Sequence, residues 1–211
     1  MKMIETIIQN LETIFSSTSG FALLGVLLLI IFFMYARRIK FTTRMLVYIS
    51  LMLALTILLE QIRLYHFPQG GSVTLGAKIP IILLAFRYGA PVGMFAGFVF
   101  GLIQIILDPF ILHPIQVLFD YPLPWMAAGL AAIFPQKFIT STILVFVGRF
   151  ICHFISGVVF FASYAPEGTS PIIYSLTVNA SLIVPECLIC CLLIKILPVQ
   201  RLLDAMDKKN S

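Results

Sequence analysis

Long apolar stretches separated by short polar clusters run the length of the chain, and their lengths match a bilayer better than a soluble core. Residues 13–36 contain no charge, and the stretch SGFALLGVLLLIIFFMYA within them is long enough to cross about 30 Å of hydrocarbon as a helix. Arg37, Arg38 and Lys40 follow this stretch rather than precede it, and no small-residue cleavage site is evident. That order predicts a retained span, not a secretory leader. Further spans are predicted over residues 43–60, a shorter run IPIILLAF ending at Arg87 and Gly89, then 91–107, 115–134, 138–161 and 172–197. The Gly-rich segment YHFPQGGSVTLGAK after the second span reads as an ordered loop. The pattern predicts an all-α integral membrane protein with seven spans.

Within the fourth run Gly93, Gly97 and Gly101 recur every four residues, a continuous small face on which another backbone can approach closely. Composition agrees with the pattern. Of 211 residues, 60% are hydrophobic and 11% charged, with mean hydropathy +1.05, whereas soluble domains carry about 25% charged residues. Little chain remains for a separate catalytic domain, so the chemistry belongs within the bilayer region or just above it.

The formal charge of +5 sorts by membrane side, which removes nucleic acid as an expected partner. With the connection ARRIKFTTR placed in the cytoplasm, Arg37, Arg38, Lys40, Arg44, Arg87, Lys137, Lys195, Arg201, Lys208 and Lys209 lie inside, while Lys2, Arg63 and Lys78 lie outside and Arg149 sits in a span. Because positive charge resists transfer across the bilayer, this bias predicts an outer N-terminus and a cytoplasmic C-terminus. The four cysteines, Cys152, Cys187, Cys190 and Cys191, all fall in apolar runs, so neither a disulfide framework nor a metal site is predicted.

Charges inside apolar runs are costly and face a cavity or pair with one another. Three stand out: Asp120, Arg149 and Glu186. His113, Gln116 and Asp120 share a helical face; Arg149, His153 and Gly157 share another; Asn179 and Glu186 share a third. Each has a structural reading beside the functional one. Asp120 is either a ligand carboxylate or the counter-charge of Arg149, His153 either a ligand group or a core histidine, and Asn179 either a ligand group or an interhelical clasp. Arg149 and Glu186 read as structural, since Glu186 follows Pro185, where a freed carbonyl demands polar compensation.

The outward segments are aromatic, with Tyr65, Phe67, Phe110, Tyr121, Trp125, Phe161, Tyr164 and Tyr174. Interfacial belts account for many such rings. A carboxylate beside several ring faces also suits a flat, cationic heteroaromatic ligand. GxxxxGK[ST], HExxH, GxSxG and GxGxxG motifs are absent, so no local signature of nucleotide hydrolysis or common hydrolase chemistry exists, and no catalytic residue is assigned.

PQGGS (68–72), IPIILLAFRYG (79–89), HPIQVLFDYPL (113–123) and the run GRFICHFISGVVFFASYAPEGTSPIIYSLTVNASLIVPE (148–186) resemble the thiamine-binding S component of energy-coupling factor transporters. The resemblance spans residues 43–197, and the last run is its most specific part. It implies six helices, a thiamine pocket facing outward under the loop after the first of them, and no bound cofactor. It also implies a membrane coupling protein carrying two cytoplasmic ATPase subunits as partner. The binding positions carried over are Asp120, Tyr121, His153, Phe161, Tyr174 and Asn179. Phe110 joins them as a ring without a hydroxyl, and Gln116 through the face it shares with Asp120. Asp120 is shorter than the Glu of some relatives, and Phe161 replaces a Trp, leaving less stacking area.

The first loop has no Trp, so Tyr65 and Phe67 are the lid candidates. Ser50 and Ala54, four apart, are the expected docking pair for the coupling protein. The chain then divides into an extra N-terminal transmembrane helix and basic connection (1–40), a six-helix substrate-binding membrane domain (41–200) and a short polar cytoplasmic tail (201–211). The expected function is thiamine capture at a bacterial cell membrane. The alternatives are an S component for another vitamin, an intramembrane enzyme using Asp120 and His153 as acid and base, and a membrane scaffold.

Overall fold

The protein is mostly helical in a computed structural model that describes residues 18–68 and 70–207. The expectations placed on residues 1–17, Lys2 among them, and on Lys208 and Lys209 lie outside the described residues. In chain order the elements are α1 (Thr18–Ala36), α2 (Thr43–Glu60), a hairpin of β1 (Arg63–His66) and β2 (Ser72–Thr74), α3 (Ile79–Tyr88), α4 (Ala90–Leu107), α5 (Pro114–Asp120) and α6 (Pro122–Met126). A 3-10 helix (Ala127–Ile133), α7 (Phe138–Phe160), a 3-10 turn (Ala162–Tyr164), α8 (Pro171–Ile196) and α9 (Val199–Asp207) complete the chain. Among the described residues, α2, α4, α7 and α8 are long and apolar enough to cross a membrane. Their outer faces expose large apolar side chains, such as Leu58, Ile106, Ile151 and Leu188, as a helix in contact with hydrocarbon does. The chain is an integral membrane protein.

Four expectations change. The fold is not purely α: the loop after α2 forms a two-stranded antiparallel hairpin pairing Tyr65 with Val73 and His66 with Ser72. Gly70 and Gly71, with φ of 89° and 88°, make its turn in a backbone region that side-chain-bearing residues avoid. The span expected over 115–134 is not one helix but α5, α6 and the 3-10 segment in succession. Tyr121, at φ −116° and ψ −81°, breaks it because a residue before proline is pushed out of the α region, and Pro122 and Pro124 lack the N–H that a continuing helix needs.

The apolar run 79–86 forms α3, whose ten residues rise only about 15 Å. Every residue from Ile79 to Phe86 is buried, so this short helix is enclosed by protein. The tail expected to be polar from residue 201 is instead, in its described part, the amphipathic α9. Its Leu203 and Met206 join Val199 in the main core, and the Tyr48 hydroxyl donates to the Ala205 carbonyl at 3.2 Å.

The glycine stripe of α4 does what its spacing predicts. A Cβ at Gly93 would meet the Gly129 backbone at 3.2 Å, one at Gly101 would meet Pro122 Cα at 2.6 Å, and one at Gly97 would overlap the Trp125 carbonyl. The irregular segment 121–129 therefore lies directly on α4, where its unpaired backbone is shielded from lipid. On its other side α1 packs against α4 and α5, with Phe32 fully buried beside Phe119 and Gly25 lying against the Phe119 ring.

Gly97→Ala should destabilise the protein by about 1–3 kcal/mol, the usual penalty for overpacking a tight contact. Thermal unfolding in detergent, followed by the emission of the single tryptophan, Trp125, should show a lowered midpoint. An unchanged midpoint would refute the backbone-to-backbone contact.

Candidate ligand-binding site

A cavity of about 130 Å³ lies where the hairpin turn, the end of α4, α5, α7 and α8 come together. All eight residues carried over as binding positions line it: Phe110, Gln116, Asp120, Tyr121, His153, Phe161, Tyr174 and Asn179. Of the two lid candidates Phe67 lines the cavity with Gly70 and Gly71, whereas Tyr65 is 53% exposed and does not line it. His113 leaves the face it was expected to share, because it caps α5: its Nδ1 accepts from Ile115 N at 3.1 Å and its ring stacks on Phe160.

The carboxylate of Asp120 ends α5 and is held from both sides. Gln116 Nε2, one turn earlier, donates to Oδ2 at 2.6 Å, and His153 Nδ1 lies 3.3 Å from Oδ1. The expected alternative of an Asp120–Arg149 pair is not the arrangement formed. Gln116 is 1% exposed, and its amide also donates to Phe110 O at 3.1 Å and accepts from Leu112 N at 3.0 Å. Its work is to tie the 108–113 loop to Asp120. Tyr121 does similar work with its hydroxyl, which accepts from Phe110 N at 2.6 Å and lies 3.0 Å from Asp108 O as donor. These bonds set Phe110 nearly parallel to Phe161, with centroids 5.8 Å apart, and Tyr164 closes the group against both rings.

On α8 the Asn179 Nδ2 donates to Ser175 O at 2.9 Å and to His153 O at 3.2 Å, so Asn179 is an interhelical clasp as well as a cavity wall. Gly157 makes the close approach of α7 and α8 possible, since a Cβ there would stand 2.9 Å from Ser175 Cβ.

Glu60 and Lys78 also line the cavity and were not singled out as site residues from sequence. Lys78 Nζ sits 2.7 Å from Glu60 Oε1 and 2.7 Å from Glu186 Oε1, and Thr74 donates to the same Glu186 oxygen through Oγ1 at 2.5 Å and N at 3.2 Å. All four residues are buried. Burial works against the Lys78 charge, and the two carboxylates in contact with it offset that cost. Lys78, assigned to an outer loop by charge sorting, is thus folded inward. Its signal in the sequence was a charge set directly before eight apolar residues. Glu186, read as structural from sequence, pairs with Lys78 and also lines the cavity.

Arg149, also read as structural from sequence, lines the cavity too. Its guanidinium stacks on the Trp125 ring at 4.7 Å, while its Nε and Nη1 are buried without a hydrogen-bond partner. At the rim Arg63 pairs with Asp108 at 3.1 Å, joining the hairpin to the end of α4.

An apolar helical bundle enclosing one polar, aromatic-lined cavity defines a membrane protein that binds a small solute, and the comparisons narrow that class. The family described as thiamine transporter protein (Thia_YuaJ) matches residues 46–204. The chain is 38% identical over 171 residues to thiamine transporter ThiT of Bacillus subtilis (strain 168), covering 72% of this chain and 88% of that protein. It is 34% identical over 121 residues to thiamine transporter ThiT of Lacticaseibacillus paracasei, covering 48% and 60%. The solved structure of ThiT from Listeria monocytogenes shares the fold at TM-score 0.66 and 23% identity, over 74% of this chain and 93% of that one. The chain belongs to the thiamine transporter protein family, and so stands among transport proteins and not enzymes. The described α1 lies outside the matched residues.

Lys78→Met should destabilise the fold by roughly 3–5 kcal/mol, since it leaves two buried carboxylates without their shared cation. Lys78→Met combined with Glu60→Gln should recover part of that loss, as read from unfolding midpoints in detergent. A single variant as stable as the parent would show that the triad does not hold the hairpin.

Proposed function

We propose that the chain is the substrate-capture subunit for thiamine uptake, taking the vitamin from outside into the cavity around Asp120. The observation that carries this reading is a carboxylate positioned by Gln116 and His153 in one cavity with the rings of Phe110 and Phe161. A thiazolium cation is attracted to ring faces and to a carboxylate, and an aminopyrimidine offers the same carboxylate hydrogen-bond donors. Tyr174 and Asn179 line the facing wall, and Phe67 with the hairpin turn forms the cover. Membership of the thiamine transporter family supports thiamine over other vitamins, and over an enzymatic use of Asp120 and His153.

In this reading the chain crosses the membrane seven times, counting α1, the broken segment 114–133 and the stretch from β2 through the enclosed α3, whose helix alone is too short to span, with its N-terminus outside and its C-terminus in the cytoplasm. Energy comes from partners, a membrane coupling protein with two ATPase subunits. Ser50 and Ala54 are exposed on α2 together with Val47, Leu51 and Leu58. Small residues on such a face let a partner helix approach closely, which supports docking there.

Trp125 lies beneath the cavity, so its emission reports occupancy. Purified protein titrated with thiamine, riboflavin, biotin and folate should respond to thiamine at the lowest concentration, and a preference for another vitamin would reject the thiamine assignment. Asp120→Asn should weaken thiamine binding by about 1–3 kcal/mol, the range for removing a charged hydrogen-bond partner. An unchanged affinity would confine Asp120 to holding the loop.

A further inference from the structure

A second hollow, a groove of about 300 Å³, lies at the other end of the bundle, between the α1–α2 connection and the α3–α4 junction. Arg38, Ile39, Lys40 and Met45 line one side of it, and Pro91 and Val92 the other. Helices α2 and α4 run from this groove to the ligand cavity: Met45 and Val92 stand at their beginnings, Glu60 and Gln104 at or near their ends. The two hollows are therefore about 20 Å apart along each helix. The wall from Arg38 to Met45 also precedes residues 46–204, so the part matched to the thiamine transporter family does not account for it.

Charge and burial decide what fits the groove. Residues 13–59 and 61–107 contain no Asp or Glu, and no carboxylate lines the groove. Arg38 and Lys40 are exposed and make no ion pair with any described residue. Charge sorting across the bilayer asks only that basic residues lie on one side of the membrane. It does not ask that two of them share a groove with apolar side chains, of which Val92 is buried and Ile39, Met45 and Pro91 are half-buried. Exposed cations over an apolar floor, where α2 and α4 enter the membrane, match a phosphate headgroup above its acyl chains. A free phosphate would use the cations and leave the apolar wall bare, and a zwitterionic headgroup brings an ammonium that Arg38 and Lys40 repel. We propose that this groove is a binding site for an anionic phospholipid, whose headgroup phosphate pairs with Arg38 and Lys40 while its acyl chains lie on Ile39, Met45, Pro91 and Val92. Bound there, the lipid ties the connection after α1 to the start of α4. The site is independent of what the cavity binds.

The test uses the full chain in mixed micelles of detergent with either phosphatidylglycerol or phosphatidylcholine, counting retained lipid by native mass spectrometry and following the unfolding midpoint through Trp125. The unaltered protein should retain phosphatidylglycerol in preference to phosphatidylcholine and unfold at a higher temperature with it, as a ligand of the folded state requires. Arg38→Gln combined with Lys40→Gln should lower phosphatidylglycerol retention by about tenfold to thirtyfold, the span for two basic residues at a membrane surface. Arg37→Gln combined with Lys137→Gln removes the same charge from outside the groove and should leave retention within about twofold. The comparison of the two lipids needs no variant and so does not depend on any substitution folding.

Equal retention of the two lipids by the unaltered protein would overturn the proposal. Equal losses in the two double variants would overturn it as well, by reducing the effect to net charge. A midpoint raised as far by inorganic phosphate in phosphatidylcholine micelles would make the groove a site for free anions and not for lipid. Thiamine titration of the same preparations keeps the two readings apart, since failure to bind thiamine would defeat the capture assignment and leave the lipid counts standing.

Discussion

A lysine ammonium shared between two buried carboxylates holds this cavity open and closed at the right places. Glu60 ends α2, Lys78 precedes α3, and Glu186 lies midway along α8, so their contacts of 2.7 Å draw three distant parts of the chain to one point. Thr74, at the end of β2, adds two hydrogen bonds to Glu186 and brings the hairpin with it. Buried ions are expensive, and the arrangement persists because every member has a partner of opposite sign or a donor. From this anchor the hairpin turn hangs over the cavity, where Gly70 meets Phe110 and Gly71 meets Leu182.

Opposite the anchor, the wall that carries Asp120 depends on a different device. Proline chemistry breaks the segment 114–133 at Tyr121, and broken helices expose backbone groups that lipid cannot satisfy. The glycine face of α4 receives this backbone on one side, and α1 packs behind α5 on the other. The break has a use: it turns Asp120 and Tyr121 toward the cavity at the end of α5, while Trp125 passes beneath, with its indole N–H donating to Gln104. Close packing, polar placement and the site are one piece of architecture here.

Within the cavity the side chains divide their work. Gln116 and Tyr121 spend their polar groups on the 108–113 loop and thereby fix Phe110 against Phe161. His153 bridges walls, facing Asp120 through Nδ1 and Asn179 through its backbone carbonyl. Bonded this way, the walls are preorganised, and a ligand meets groups already in place.

The lengths of the apolar runs, the four-residue glycine period and the i, i+4 placement of Arg149 and His153 were legible because each rests on local helix geometry, which spacing alone sets. Asp120, His153 and Asn179 were legible too, since polar groups in apolar runs are rare enough to name. Spacing does not say which helix face meets which. Only the folded chain carried Lys78 inward to join Glu60 and Glu186, turned the Gly-rich loop into a hairpin, and docked the apolar face of α9 into the core. It also set Arg149 over Trp125 on the cavity wall, where sequence had read it as structural. The physical reason is that ion pairing and packing between distant segments depend on the sum of contacts across the bundle, and no single stretch of residues encodes that sum.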